Sequence, residues 1–243
     1  MASPNKSPKG TPDSTSLKTG FLTSALGLGI LITIFSTLIG VGRYLDNIKD
    51  KWYVFDPVHL HQLSQAAIAA NPANDTAGII QYIVANLTQT YPSTEVRLNL
   101  DVNEWMFNNA GGAMGAMYII HASITEYLII FGTPLGTEGH SGLHLADDYF
   151  NILVGEQWAF APGALEKERY PPGSVNLMAR GVKKQYKMHE GCFALEYARG
   201  WIPTMAPFGA MDALTSTLDF PTFFRTARIT AREMIGNILI GKI

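Results

Sequence analysis

The chain has 243 residues, enough for one domain of ordinary size or a domain plus an anchor. It is 47% apolar and only 16% charged, a balance that excludes a disordered, charge-driven protein. Eighteen Lys and Arg against 20 Asp and Glu provide no basic field for nucleic acid, and a single cysteine, Cys192, excludes an intrachain disulfide or a multi-cysteine metal site.

Residues 1–19 are rich in Ser, Pro, Lys, Gly and Thr with one leucine, too little apolar surface to offset the entropy of ordering, and read as a flexible tail. Between Lys18 and Arg43 lie 24 uncharged residues dense in Leu, Ile, Phe and Gly. As a helix this run is about 36 Å long, sufficient to cross a hydrocarbon core, and it exceeds the apolar region of a cleavable signal peptide. It predicts a transmembrane helix over residues 20–43. Lysines 6, 9 and 18 on one side balance Arg43, Lys49 and Lys51 on the other, so charge asymmetry sets no orientation.

A helical segment is predicted over residues 50–92. Asp56-Pro57 supplies a cap and a proline at the first helical position. Leu60, Leu63 and Ile68 follow at helical spacing until Asn71-Pro72, and a second helix opens at Asn74-Asp75 with Ile79, Ile80, Ile83 and Leu87 on one face. From 93 to 202 short β-branched and aromatic runs alternate with Gly, Pro and polar turns: Tyr118 to Ile120, Glu126 to Phe131, Ala159-Phe160, Gln185 to Met188 and Cys192 to Ala198. This pattern predicts a small sandwich or barrel. Helical spacing returns over residues 203–243. Asp219 caps a last amphipathic helix whose apolar positions include Phe223, Phe224 and Ile235, with Arg225, Arg228 and Arg232 on the other face. Such a helix packs on the domain core or lies in a membrane interface, and periodicity leaves both open.

Glu196 is the most informative chemical position. Alternation in Cys192 to Ala198 puts Phe193, Leu195 and Tyr197 on one face and Cys192, Ala194, Glu196 and Ala198 on the other. If the small-residue face points inward, it leaves room for a ligand beside an isolated acid of raised pKa; if it points outward, Glu196 is an ordinary surface charge. Asp147-Asp148 is the second candidate, as the acid pairing with Glu196 or as a solvated pair. His140, His144 and Asp147 have a spacing that ligates a metal, but without further ligands the signal is weak. His121 reads as a core histidine, and Glu126 is either buried and paired or exposed. No phosphate-binding glycine loop and no Gly-x-Ser-x-Gly elbow is present. Asn74-Asp-Thr76 and Asn86-Leu-Thr88 are glycosylation sequons.

Longer runs carry a resemblance. Asn109-Ala-Gly-Gly-Ala-Met-Gly-Ala-Met117, His121-Ala-Ser123, Glu126-Tyr127, Phe131-Gly-Thr133, Gly139-His-Ser-Gly142 and Leu195-Glu-Tyr-Ala-Arg-Gly-Trp-Ile-Pro203 occur in that order. Together they closely resemble the fungal sterol C-8 isomerase family, to which the mammalian sigma non-opioid receptor is related. Ala146-Asp-Asp-Tyr-Phe150 and the Trp-Ile-Pro segment look like the fungal enzymes. The resemblance implies a mainly β fold with helices: an N-terminal transmembrane helix, then a cupin-like β-barrel capped by two C-terminal amphipathic helices. It implies a homotrimer in the endoplasmic reticulum membrane, a sterol substrate, inhibition by cationic amphiphilic amines, and no metal or redox cofactor. The implied reaction moves a sterol double bond from carbon 8 to carbon 7 in ergosterol synthesis, the alternative being a non-catalytic, receptor-like ligand-binding protein. The receptor's ligand-pairing glutamate maps to Glu196. Its second acid falls, without gaps, on Phe150, so Asp147 is the expected partner and Asp148 the reserve. Trp105, Met117, Tyr127, Phe131, Tyr149 and Phe150 are the expected substrate wall.

Overall fold

The computed structural model describes residues 14–72 and 75–243, and the chain divides into two compact units after Asp50. The first unit is helix α1, Ser14–Ile48. It begins ahead of the expected span because neither Gly nor Pro interrupts Ser14 to Thr19; the remainder of the expected tail, residues 1–13, lies outside the described residues. The stretch Leu26–Trp52, 27 residues, is long and apolar enough to cross a membrane, and its large apolar side chains from Leu26 to Val41 are exposed.

The second unit opens with α2, Pro57–Ala70, and α3, Thr76–Thr90. Asp56 caps α2 by accepting from Val58 N at 2.9 Å, and Asp75 caps α3 by accepting from Gly78 N at 2.8 Å. Asn74 of the first sequon lies outside the described residues. Leu60, Leu63, Ile79, Ile83 and Leu87 form the buried stripe of the two helices. Each such side chain contributes about 1.5–3 kcal/mol relative to exposure.

Ten strands follow among the described residues: β1 (Met106–Ala110), β2 (Ala113–Ala122), β3 (Glu126–Thr133), β4 (Thr137–His140), β5 (Ala146–Val154), β6 (Gln157–Phe160), β7 (Glu168–Tyr170), β8 (Val175–Met178), β9 (Gln185–Met188) and β10 (Cys192–Gly200). They form a six-stranded sheet ordered β1-β2-β3-β10-β5-β8 and a four-stranded sheet ordered β4-β9-β6-β7, antiparallel throughout. Gly111 and Gly112, both with positive φ, make the two-residue turn that closes β1 on β2. At Gly111 a Cβ would also lie 2.2 Å from the His140 carbonyl, so only glycine fits.

The sheet faces separate two cores. Leu195 and Tyr197 of β10 pack with Tyr118, Leu128 and the stripe of α2 and α3. Cys192 and Ala194 face the opposite way, toward Met117, Phe131, Phe150 and Ile152 in the barrel interior. The small-residue face of β10 therefore points inward. Glu126 is fully buried and paired: its carboxylate accepts from Val54 N at 2.9 Å, Phe55 N at 3.0 Å and the Tyr197 hydroxyl, and meets Lys242 Nζ at 2.8 Å. His121 is a core histidine. Its Nδ1 donates to the Arg97 carbonyl at 3.0 Å, and burial lowers its pKa to about 4, leaving it neutral.

Two C-terminal helices complete the unit, α4 (Ala206–Asp212) and α5 (Phe220–Leu239). Asp212 on α4 accepts from Gly112 N at 2.8 Å, which docks the helix on the β1–β2 turn. Asp219 caps α5 by accepting from Thr222 N at 3.1 Å. Periodicity leaves α5 between core and interface; the structure packs one face on the domain and leaves apolar residues of the other exposed. Ile229 is fully buried in the interior core, Glu233 meets Arg97 at 3.1 Å, and Asn237 accepts from Arg97 N at 2.9 Å. Phe220, Phe224, Ile235 and Leu239 are exposed.

Candidate active site

The site is built on neighbouring strands β10 and β5. Glu196 stands at the centre of β10, between Ile129 on β3 and Phe150 on β5 in the ladder and between Ala194 and Ala198 along its own face. None of these side chains hydrogen-bonds a carboxylate. The Glu196 side chain keeps partial accessibility although burial raises its pKa to about 8. Glu196 is thus ringed by protein while keeping some accessible surface, and the flanking alanines leave its carboxyl uncrowded along the strand.

The partner acid is Asp148. It lies opposite Ala198, so its side chain shares the inward face with Glu196 one diagonal step away. It is 3% exposed, and the two carboxyls hydrogen-bond each other. Burial first, then the Glu196 charge and the hydrogen bond to Glu196, push the Asp148 pKa well above the usual carboxylate range. For Glu196 the raising effect of burial is opposed by Asp148, whose proton its ionised form accepts. The two titrate as one unit, with both carboxyls raised above the usual carboxylate range. Asp148 Oδ1 has no hydrogen-bond partner among the described residues.

Asp147, the expected partner, does not face Glu196. Successive residues of a strand point to opposite faces, and Asp147 lies opposite Arg199. Its carboxylate is 3.6 Å from Arg199 Nε and accepts from Arg180 N at 3.0 Å. Tyr149 and Trp105 also depart from the expected wall. Tyr149 stacks on Tyr197 at 5.9 Å on the helix-covered face, and Trp105 packs against Tyr118 at 5.8 Å in the same core. Met117, Tyr127, Phe131 and Phe150 do belong to the interior core.

Tyr127 and Tyr186 complete the surroundings of the pair. Burial and the charge of Glu196 raise both phenols, and the Tyr127 hydroxyl bonds Thr230 on α5, tying that helix to the chamber wall. Tyr186, whose ring lies 6.1 Å from Phe150, is not among the site residues expected from the sequence. Its signal was the alternation Gln185, Tyr186, Lys187, Met188, in which only Tyr186 and Met188 are buried. The histidines considered as ligands are engaged locally: His140 Nδ1 accepts from Gly142 N at 2.8 Å, and the His144 ring meets Phe208 at 5.1 Å. No group of three or more His, Cys, Asp or Glu converges among the described residues.

The family described as ERG2 and Sigma1 receptor like protein matches residues 19–242. The chain belongs to this family. It is 59% identical over 215 residues to the C-8 sterol isomerase erg2 of Aspergillus fumigatus, covering 88% of this chain and 87% of that protein. It is 34% identical over 186 residues to the sigma non-opioid intracellular receptor 1 of Danio rerio, covering 76% and 81%. Part of the chain is similar to the solved structure of KdgF from Halomonas sp., with 14% identity, a TM-score of 0.37, and 44% of this chain and 97% of that one covered. Within the ERG2 and Sigma1 receptor family, this chain presents its two interior acids as Glu196 and Asp148.

Proposed function

We propose that the chain is a C-8 sterol isomerase that moves a ring double bond from carbon 8 to carbon 7, and that Glu196 and Asp148 carry the chemistry. The observation that supports this is a hydrogen-bonded pair of carboxyls with raised pKa values inside an apolar barrel. The relative named C-8 sterol isomerase, at 59% identity, supports the substrate.

The reaction is a proton relay without net oxidation. The double-bond electrons take a proton at carbon 9, leaving a tertiary cation at carbon 8. Loss of a proton from carbon 7 returns its bonding pair to form the new double bond. Burial raises the Glu196 pKa to about 8, so it carries a proton to deliver near neutral pH, and Asp148 stabilises the carboxylate left behind by donating a hydrogen bond. That carboxylate then faces the cation in a medium of low dielectric, where the attraction is strong, and takes the proton from carbon 7. A general acid and base placed this way contribute on the order of 10²- to 10⁴-fold in rate. A lipophilic ammonium reproduces the charge of the cation, so cationic amphiphilic amines fit as inhibitors.

The exposed apolar residues of α5 and the Leu26–Trp52 helix support a bilayer as the second partner. We place the protein as a single-pass homotrimer in the endoplasmic reticulum membrane, where such substrates dissolve; the family resemblance is the support. Expression in a fungal strain that lacks its C-8 isomerase, followed by sterol profiling, tests the activity. Return of Δ7-sterols is the expected result, whereas persistent Δ8-sterols would leave a ligand-binding protein of the receptor type.

A further inference from the structure

The barrel holds a second buried polar cluster that the acid pair does not use. Lys184, just ahead of β9 and 9% exposed, places its Nζ 2.5 Å from Glu168 on β7 and 3.4 Å from Asn176 Oδ1 on β8. Asn176 Nδ2 donates to Gln157 Oε1 on β6 at 2.8 Å. Asn176 and Gln157 are fully buried, and Gln157 Nε2 has no hydrogen-bond partner among the described residues.

The direction of this chain is fixed. An ammonium only donates, so Asn176 turns its oxygen to Lys184 and its amide nitrogen to Gln157. Gln157 then accepts with its oxygen and is left with a buried NH₂ group. Buried donors are nearly always paired, so this amide is preset for an acceptor that enters the interior.

The cluster is in line with the acids. Glu196 lies opposite Phe150, and Phe150 lies opposite Asn176, so the three stand in one inward-facing row across β10, β5 and β8. Two strand spacings put about 10 Å between the Glu196 and Asn176 backbones before either side chain reaches inward. Gln157 lies opposite Met188, which belongs to the same interior core.

We propose that Gln157, oriented by Asn176 and Lys184, receives the 3β-hydroxyl oxygen of the sterol and sets the register of the ring system against Asp148 and Glu196. This rests on the isomerase reading and deepens it. The hydroxyl sits on the ring next to the one that rearranges, and the fused nucleus is rigid. A greasy slab in a greasy chamber slides freely; one hydrogen bond at its polar end fixes where carbons 7, 8 and 9 stop relative to the acids. Gln157 is a positioning residue and exchanges no proton with the substrate.

The test uses the full-length protein in membranes with two substrates, a Δ8-sterol bearing a free 3β-hydroxyl and its 3-deoxy counterpart. Turnover is measured, together with displacement of a lipophilic quaternary ammonium probe that has no hydroxyl. Wild type is expected to favour the hydroxylated sterol by on the order of tenfold in both assays. Gln157→Met is expected to erase most of that preference while binding the probe as wild type does. Equal binding of the two sterols by wild type, or an undiminished preference in Gln157→Met, overturns the proposal. If Gln157→Met loses the probe as well, the wild-type preference and Asn176→Leu decide, the latter expected to narrow the preference with the probe retained. A wild type that displaces the probe with the hydroxyl preference but turns over neither sterol keeps the subsite and removes the isomerase reading. A wild type that binds neither sterol removes both.

Discussion

Asp148 and Asp147 are consecutive in the chain and lie on opposite faces of the sheet: Asp148 shares the interior with Glu196, and Asp147 pairs with Arg199 across the same two strands at 3.6 Å. One residue of register separates an acid with strongly disfavoured ionisation from one held against a guanidinium at the surface.

The two aspartates therefore respond differently to the same isosteric change. Asp148→Asn removes the hydrogen-bonded acid and is expected to lower isomerase turnover by at least about 10²-fold. Asp147→Asn weakens a part-exposed ion pair, worth about 0.2–1 kcal/mol, and leaves turnover within a fewfold of wild type. Sterol turnover by the two variants, normalised to folded protein, checks this; a reversed order would falsify the assignment of Asp148.

Glu196→Gln keeps the shape and removes the group that releases the first proton. Turnover is expected to drop about 10²- to 10⁴-fold. Because burial of the ionisable carboxyl is unfavourable, the amide variant should unfold at no lower temperature than wild type in neutral buffer. A variant that keeps normal turnover would show that another group supplies the proton.

The pH dependence has a definite sign. Glu196 is raised from 4.5 to about 8, so the folded state binds more protons than the unfolded chain in that interval. Its contribution to stability is full below 4.5 and is lost as pH climbs through about 8. Turnover should follow the same alkaline limb, as the donor proton disappears. Binding of a quaternary ammonium, whose own charge is constant, should tighten over the same range as the carboxylate forms. Thermal unfolding and probe titrations between pH 5 and 9 read both limbs; in Glu196→Gln the probe profile is expected to flatten.

Much of this architecture was legible in the sequence. Asp56-Pro57, Asp75 and Asp219 each announce a helix start that the structure places there, and the small and bulky faces of Cys192 to Ala198 separate the interior from the helix-packed core. The second acid is not legible in the sequence because β5 carries two adjacent acids near its start and a continuous buried run near its end, which hides its strand alternation. Asp147-Asp148 at its start suggests a cap or a solvated turn, and only the alternation of Asp148, Phe150 and Ile152 against Asp147, Tyr149 and Asn151 assigns the faces. Phe150, the position to which the resemblance points for a second acid, lies two residues from Asp148 on the same face. Tyr149 and Trp105 pack at the helix-side core instead of the wall, because residue type carries no information on which side of a sheet an aromatic lies.

Glu126 provides the contrasting case of a buried acid used for structure. Its carboxylate joins the segment ahead of α2, through Val54 and Phe55, to the Tyr197 hydroxyl on β10 and to Lys242 at the C-terminal end. Lys242 in turn donates to the Trp52 carbonyl at 2.6 Å. Glu126→Gln leaves the ammonium buried without its counter-charge and is expected to cost about 3–5 kcal/mol, the penalty for breaking a buried pair. Lys242→Met removes the uncompensated cation, so the double variant should recover part of the loss, which a fourfold comparison of unfolding free energies measures directly. Residual turnover per folded molecule should stay near wild type in Glu126→Gln, because this carboxylate belongs to the helix-side staple and Glu196 to the interior. A fall in per-molecule turnover as deep as that of Glu196→Gln, with unfolding free energy unchanged, would move Glu126 from the scaffold into the chemistry.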